Sequence, residues 1–224
     1  MKPLLGNMGS VLFDLDGTLV DTNIDFALMR REMTRLAVGV GLTEDDVRGL
    51  DILGIVEAAA ASLLDDEDRG RLLRDEAMRI LEEIELRHAH ETQQIPFARE
   101  IIHHLRESGT PTGIVTRNCR AASEISLEIA EIRADVMICR EDSVRHKPHP
   151  EPVLLALSQL NSTAQNSVMV GDHIMDVQSG KAAGTRTIGF LREDRPDDFF
   201  NNAAPDYIAR DLREVLSAII GRDS

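Results

Sequence analysis

From Pro96 onward, the chain alternates short apolar runs with segments of helical composition. This alternation constrains the fold most, and its apolar runs occupy residues 112–115, 136–139, 167–170, 187–190 and 207–209. An earlier run of the same kind occupies residues 10–13. Apolar strands separated by helices are typical of a parallel sheet covered on both faces, since its strands are buried on both sides. The sequence therefore predicts an α/β fold with a doubly wound, Rossmann-like parallel sheet.

Residues 21–95 lack this strand pattern. Apolar side chains recur at helical spacing over residues 24–37, and the glycines within residues 39–41 are a stop signal for that helix. We expect a helix to restart at Thr43, because a hydroxyl followed by early carboxylates suits a helix N-terminus. Residues 65–90 have the composition of a long amphipathic helix. This part of the chain is therefore predicted to be entirely helical.

The contrast between the strand–helix alternation and the all-helical pattern predicts two domains. A chain of 224 residues is long enough for one sheet domain and a smaller inserted domain. We expect the sheet domain to comprise residues 1–20 plus 96–224, and the all-helical insertion to comprise residues 21–95. Hinges are expected near residues 20–22 and 95–97.

The composition excludes two classes of partner. The net charge is −14, with six Phe and one Tyr, whereas proteins that bind nucleic acid need a surplus of positive charge and aromatic side chains for stacking. No run of about 20 apolar residues is present, as a membrane-spanning helix would require. We therefore expect neither a nucleic-acid partner nor a membrane partner.

The cysteine usage is typical of a reducing compartment. Cys119 and Cys139 cannot build a disulfide framework, and their separation matches no zinc-ligand pattern. Residues 1–7 contain no apolar stretch long enough for a signal peptide. We expect a cytoplasmic protein with two reduced, buried cysteines.

Polar side chains follow the predicted strands at the points where the strands end. Ligands of open α/β sheets bind beyond the carboxyl ends of the strands. The residues predicted to meet there are Asp14, Asp16, Thr116, Arg117, Asn118, Lys147, Asp172 and Asp176. The sequence thus predicts four carboxylates, one hydroxyl and one lysine on one rim of the sheet.

The spacing of the carboxylates favours a shared cation. Asp14 and Asp16 are two residues apart, which on an extended segment turns both side chains to one side. Asp172 and Asp176 are four residues apart at a helix start, which places them on one helical face. Two like charges about 4 Å apart repel by roughly 4 kcal/mol at an effective dielectric constant of 20. Oxygen ligands of this kind suit Mg²⁺.

The residues 13–21, Phe-Asp-Leu-Asp-Gly-Thr-Leu-Val-Asp, resemble the first motif of the haloacid dehalogenase (HAD) superfamily. Thr116, Lys147 and the sequence Gly171-Asp172-x-x-x-Asp176 resemble its second, third and fourth motifs, in the same order. The predicted helical insertion is similar to the type-one cap of that superfamily, and residues 180–184 are similar to its phosphoglycolate phosphatase-like branch. Phe97 departs from the pattern, because many members have glycine after the proline.

The resemblance implies a role for each residue of the first and third motifs. Asp14 would be the nucleophile and would form an aspartyl-phosphate. Asp16 would protonate the leaving oxygen and then activate water, while its backbone carbonyl binds Mg²⁺. Lys147 would neutralise Asp14 and the phosphoryl oxygens.

The second and fourth motifs would hold phosphate and metal. Thr116 would bind a phosphate oxygen, with help from the backbone amide of Arg117 or Asn118. Asp172 would be a Mg²⁺ ligand, and Asp176 would support the metal directly, through water or through Lys147. The metal set implied by the resemblance is Asp14, Asp16, Asp172 and Asp176.

These roles imply a Mg²⁺-dependent phosphatase that hydrolyses a small phosphorylated metabolite, with phosphoglycolate as the favoured phosphate monoester. Asp16 argues against a carbon–halogen hydrolase, because those relatives need no acid for the leaving group. The absence of lysine from residues 21–95 argues against a phosphonate hydrolase that uses a Schiff base. A phosphosugar mutase on the same core remains an alternative. A non-catalytic phosphate-binding regulator is a second one, although Asp14 and Lys147 are both present.

Overall fold

The computed structural model describes residues 9–63 and 66–221. The strands are β1 (Val11–Phe13), β2 (Val20–Asp21), β3 (Gln93–Gln94), β4 (Thr112–Val115), β5 (Val136–Ile138), β6 (Val168–Gly171), β7 (Arg186–Phe190) and β8 (Tyr207–Ala209). The helices are α1 (Phe26–Gly39), α2 (Ile52–Ala61), α3 (Glu67–Ala89), α4 (Ala98–Glu107), α5 (Arg120–Ile129), α6 (Glu151–Gln159), α7 (Ile174–Ala183) and α8 (Leu212–Ile220). The segment searched for a signal peptide and Asp65, at the predicted start of the long helix, lie outside the described residues.

The chain divides into two compact units. The core unit comprises residues up to Thr22 and from His90 onward, and the helical unit comprises Asn23–Ala89. The domain boundaries and hinges predicted from the sequence stay predictions. Across the described residues, every helix is too short or too polar to span a bilayer.

The core unit contains a six-stranded sheet in the order β5-β4-β1-β6-β7-β8. All of its neighbouring strands are parallel. β1 lies between β4 and β6, with Phe13 opposite Ile114 on one side and Val170 on the other. The predicted doubly wound α/β fold is confirmed.

Alternate residues of the sheet face two different hydrophobic clusters. Val11 and Phe13 pack in a cluster with residues of α4 and α8. Leu12 packs in the other cluster with residues of α6. Because successive side chains of a strand point to opposite faces, this division shows helices on both faces of the sheet. All of these residues are buried, which explains the continuous apolar runs in the sequence.

The helical unit has a hydrophobic core of its own. Its buried members come from α1, α2, α3 and the segments before and between them, with Met33, Ile55 and Leu81 at most 1% exposed. The helix predicted to restart at Thr43 is wrong. Thr43 donates to Asp46 as in a helix cap, but Gly49 takes a left-handed conformation with φ 84°. The chain is therefore turned before a helix can propagate, and α2 begins only after Asp51, whose side chain accepts from the amide of Gly54.

The expectation that residues 21–95 contain no strand is also wrong. β2 and β3 pair antiparallel, with Val20 opposite Gln94 and Asp21 opposite Gln93. This two-residue ladder forms through backbone pairing between distant segments. The sequence Gln93-Gln94 has no alternation of apolar and polar residues that would predict a strand. The segments that lead into and out of the helical unit therefore run side by side within the core unit.

Candidate active site

Three of the predicted site residues follow neighbouring strands of the core sheet. Asp14 follows β1, Thr116 follows β4 and Asp172 follows β6. Since these strands are adjacent and parallel, their carboxyl ends meet at one edge of the sheet. The amide of Asp14 donates to the carbonyl of Val170 at 2.8 Å, which continues the sheet to the edge of the site.

Lys147 joins two of the carboxylates in the buried interior of this edge. Its Nζ donates to Asp14 Oδ1 at 2.5 Å and to the carbonyl oxygen of Val115 at 2.7 Å. It also lies 2.6 Å from Asp176 Oδ1. The Lys147 side chain is 3% exposed, so this ammonium group is held almost entirely by protein oxygens.

Asp14, Asp172 and Asp176 form a cluster of carboxylates. One oxygen from each lies within 4.8 Å of the others. Burial raises the pKa of Asp14 to about 7, against the opposing effect of Lys147, and Asp176 adds to the rise. Burial also raises the pKa of Asp172 to about 8, and the negative charge of Asp14 is the second cause of this rise.

The charges of the cluster fit a bound cation. Burial disfavours the charged form of Lys147, but the negative charges of Asp14 and Asp176 outweigh this effect and raise its pKa. One ammonium group therefore pairs with two carboxylates, Asp14 and Asp176, while Asp172 lies in the same cluster. Clustered carboxylate oxygens are the donor set that a hard divalent cation requires.

Two glycines allow these carboxylates to approach the backbone. Gly17 has φ 88°, and a Cβ built on it would lie 2.3 Å from Asp172 Oδ2. A Cβ on Gly171 would lie 2.3 Å from Cβ and 2.4 Å from Cγ of Asp176. Any larger residue at either position would collide with a cluster carboxylate, which gives both glycines a steric role.

Asp16 lies at the same edge, but its carboxylate has a different partner. Asp16 Oδ1 accepts from the amide of Thr22 at 3.0 Å and from Thr22 Oγ1 at 2.7 Å. Burial raises the pKa of Asp16, and the two hydrogen bonds from Thr22 oppose that rise. The structure thus separates the two motif-one carboxylates, with Asp14 on Lys147 and Asp16 on Thr22.

The loop after β4 holds the predicted phosphate ligand. Thr116 is buried, and its Oγ1 accepts from the amide of Asn118 at 3.1 Å, so the hydroxyl proton is directed elsewhere. Arg140 is 5% exposed and supports this loop through two hydrogen bonds. Its amide donates to the carbonyl of Asn118, and its Nη1 donates to the carbonyl of Arg117.

Sequence reasoning missed the residues that hold the functional side chains. Thr18 Oγ1 accepts from the amide of Asp172 at 3.1 Å, and Thr22 anchors Asp16. Arg192 pairs with Asp21 at 2.9 Å, and its charge opposes the pKa rise of Asp172 and Asp16. Arg192 lies two residues after the end of β7, the next strand of the sheet, so examination of every strand end, beyond the four motifs, would have found it.

Comparisons with known proteins agree with this geometry. Residues 11–190 match the model of the family described as haloacid dehalogenase-like hydrolase. The chain belongs to this family. Its hydrolase activity and its fold, expected from the motifs, are confirmed, and its enzyme class is that of phosphoric ester hydrolases.

Curated relatives of this HAD chain are similar over nearly their whole length. A pyrophosphatase PpaX from Bacillus pumilus is 30% identical, with 96% of this chain and 98% of the relative covered. An N-acetylmuramic acid 6-phosphate phosphatase from Pseudomonas aeruginosa is 34% identical, with 92% and 94% covered. A solved haloacid dehalogenase-like hydrolase from Bacteroides fragilis has a TM-score of 0.67 at 23% identity, with 93% and 100% covered, and this likeness supports the fold.

Proposed function

We propose that this HAD hydrolase is a Mg²⁺-dependent phosphatase of a small phosphate monoester, acting through an aspartyl-phosphate on Asp14. The observation that carries the proposal is the arrangement at the sheet edge, where Lys147 pairs with Asp14 and Asp176 beside the carboxylate of Asp172. Phosphoryl transfer depends mainly on positioning and charge stabilisation, and this arrangement can supply both.

In the first step, Asp14 attacks phosphorus. Lys147 holds Asp14 Oδ1, which leaves the other carboxylate oxygen to form the new O–P bond. Asp16 gives its proton to the leaving oxygen as the ester P–O bond breaks. The raised pKa of Asp16 favours the protonated form that this role needs.

In the second step, the same groups release phosphate. Asp16, now ionised, takes a proton from water as the water attacks phosphorus and the O–P bond to Asp14 breaks. Thr116, whose hydroxyl is oriented by Asn118, would donate to a phosphoryl oxygen in both steps. Mg²⁺ held by Asp14, Asp172 and the backbone carbonyl of Asp16 would neutralise the negative charge that gathers there, and Asp176 would support it through Lys147.

The substrate proposed is a small phosphorylated metabolite in the cytoplasm. The named relatives act on pyrophosphate and on N-acetylmuramic acid 6-phosphate, and phosphoglycolate follows from the resemblance in the motifs. All three belong in the panel that defines the substrate. The two buried cysteine thiols, Cys119 and Cys139, support a reducing compartment.

The test is phosphate release from this panel and from p-nitrophenyl phosphate. We expect turnover with Mg²⁺, a loss of at least a thousandfold in excess chelator, and the same loss in the Asp14→Asn variant. The control Asp211→Asn removes a helix-capping carboxylate of α8, remote from the cluster in the chain, and should keep the wild-type rate. Full turnover in excess chelator, or by Asp14→Asn, would overturn the proposed function.

A further inference from the structure

Arg192 departs from a firmly held part of the core unit. It follows Leu191, whose amide donates to the carbonyl of Ala209 at 2.8 Å, so the pairing of β7 with β8 continues one residue past Phe190. The Leu191 side chain is buried and packs in a hydrophobic cluster with Phe200. The backbone that carries the Arg192 side chain is therefore fixed on the sheet.

The guanidinium group of Arg192 joins this loop to β2. Its Nη2 donates to Asp21 Oδ2 at 2.9 Å, and its Nε lies 3.5 Å from Asp194 Oδ1. Asp194 is two residues further along the same loop, whereas Asp21 is 171 residues away in the chain. One carboxylate therefore orients the guanidinium group from its own loop, and the other is held by it at a distance in sequence.

Asp21 ends β2, and the next residue holds Asp16. Asp21 lies opposite Gln93 in the ladder of β2 and β3. The amide and the hydroxyl of Thr22 both donate to Asp16 Oδ1, at 3.0 Å and 2.7 Å. Contacts therefore run without a break from Arg192 through the end of β2 to the carboxylate of Asp16.

The exposure of the ion pair separates its effect on position from its effect on stability. The side chains of Arg192 and Asp21 are 27% and 40% exposed. Ion pairs this open to solvent contribute little to the free energy of unfolding. A small displacement of a group that transfers a proton, in contrast, can cost a large factor in rate, because the transfer needs hydrogen-bond distance. Loss of the pair should therefore affect the reaction more than the folding.

We propose that Arg192 is a positioning residue for Asp16. Its ion pair with Asp21 fixes the end of β2, and Thr22 thereby sets the position from which Asp16 exchanges a proton with the leaving oxygen and with water. This inference rests on the proposed phosphatase function and adds to it a residue outside the four motifs.

Hydrogen exchange at the Thr22 amide, measured by NMR, reads the bond to Asp16 without any turnover. We expect Arg192→Gln and Asp21→Asn each to raise the exchange rate at least about fivefold, and Arg192→Lys to restore part of the protection, because an ammonium group can still pair with Asp21. Arg106→Gln is the matched control, since it breaks an ion pair of similar exposure with the residue before β5 and should leave the exchange unchanged. Unchanged exchange in both Arg192→Gln and Asp21→Asn would overturn the proposal.

Rapid mixing with p-nitrophenyl phosphate measures the consequence for the reaction. p-Nitrophenol leaves without a proton, so Arg192→Gln should keep the wild-type rate of the first turnover and lower the steady rate, which needs water activated by Asp16, at least about tenfold. In an Asp16→Asn background the same substitution should add nothing further, because both changes act on one group.

Two kinetic results would contradict the positioning role. A slower first turnover in Arg192→Gln would mean that Arg192 does not act through Asp16, and a wild-type steady rate would mean that the ion pair does not matter to the reaction. Lost protection at Thr22 in the variant, together with a wild-type protein that releases no phosphate, would count against the phosphatase proposal alone.

Discussion

Close packing between side chain and backbone positions the charges of the site. Asp176 shows this most clearly, because its Oδ1 faces Lys147 while its Oδ2 accepts from the amide of His173 at 3.0 Å. This carboxylate lies against Gly171 with no room for a further carbon atom. The position of Lys147, and through it that of Asp14, therefore depends on a glycine that takes no part in the chemistry.

The variant Gly171→Ala tests this dependence. The new Cβ would push Asp176 away from Lys147, so we expect kcat to fall at least tenfold and the Mg²⁺ concentration for half-maximal activity to rise. Overpacking of this kind also costs about 1–3 kcal/mol of stability. The control is Gly39→Ala, where a Cβ meets nothing within 4 Å. Wild-type kinetics in Gly171→Ala would mean that the position of Asp176 does not matter to the reaction.

Individual residues also show what the sequence could and could not predict. The strand ends identified Asp14, Lys147, Asp172 and Asp176, because parallel strands must bring their carboxyl ends together, and the structure does place these side chains in contact or close to one another. The partner of Asp16 was not predictable in the same way. Its bond to Thr22 depends on a turn that brings residues six apart together, and no periodicity encodes it.

At the scale of elements, each unit buries its own hydrophobic residues. Among the described residues, the core clusters of the sheet draw on residues up to Val20 and from Ile95 onward, and the cluster of the helical unit draws on residues 24–84. The strands of the sheet are buried in these clusters and are therefore apolar, so strand composition predicted the sheet. The turn over residues 43–50 was mispredicted, because one left-handed glycine outweighs a good capping sequence.

Excision of the helical unit tests whether the core unit is self-sufficient. Thr22 would be joined to His90 by a short Gly-Ser linker, which is feasible because Asp21 and Gln93 pair across β2 and β3. We expect a folded protein with one cooperative unfolding transition by circular dichroism, and an altered ranking of phosphate ester substrates. A control excision within the core unit, of α8, should abolish cooperative unfolding. An unfolded product would show that the core unit needs the helical unit, and an unchanged ranking would show that the helical unit does not select the substrate.

For the whole molecule, the carboxylate cluster links stability to pH and to metal. The pKa values of Asp14 and Asp172, about 7 and about 8, exceed those of the same groups in an unfolded chain. Between about pH 4 and about pH 8, the metal-free folded state therefore binds more protons than the unfolded state. Its stability falls as the pH rises through this range. A cation that binds the ionised carboxylates of the folded state opposes this loss.

Urea denaturation in chelator at pH 5.5 and pH 8.0 measures the effect. We expect the free energy of unfolding to be lower at pH 8.0, with a smaller difference in Asp172→Asn, and we expect Mg²⁺ to restore stability at pH 8.0. The exposed carboxylate Asp68 offers a matched control, since Asp68→Asn should keep the wild-type pH dependence. A pH dependence that is identical in Asp172→Asn would contradict the assignment of the raised pKa to this cluster.

The central claim is that Asp14 and Asp16, two residues apart, act at different moments of one reaction. p-Nitrophenol is acidic enough to leave without a proton, so the first step on p-nitrophenyl phosphate needs Asp14 and hardly needs Asp16. Asp16→Asn keeps an oxygen that can accept from Thr22, which preserves the local structure.

Rapid-mixing absorbance in the presence of Mg²⁺ is the most direct test. We predict that Asp16→Asn releases a burst of up to one p-nitrophenol per enzyme and then stalls as the aspartyl-phosphate waits for an activated water, whereas Asp14→Asn shows neither burst nor turnover. A burst from Asp14→Asn, or unimpaired steady turnover by Asp16→Asn, would contradict these roles.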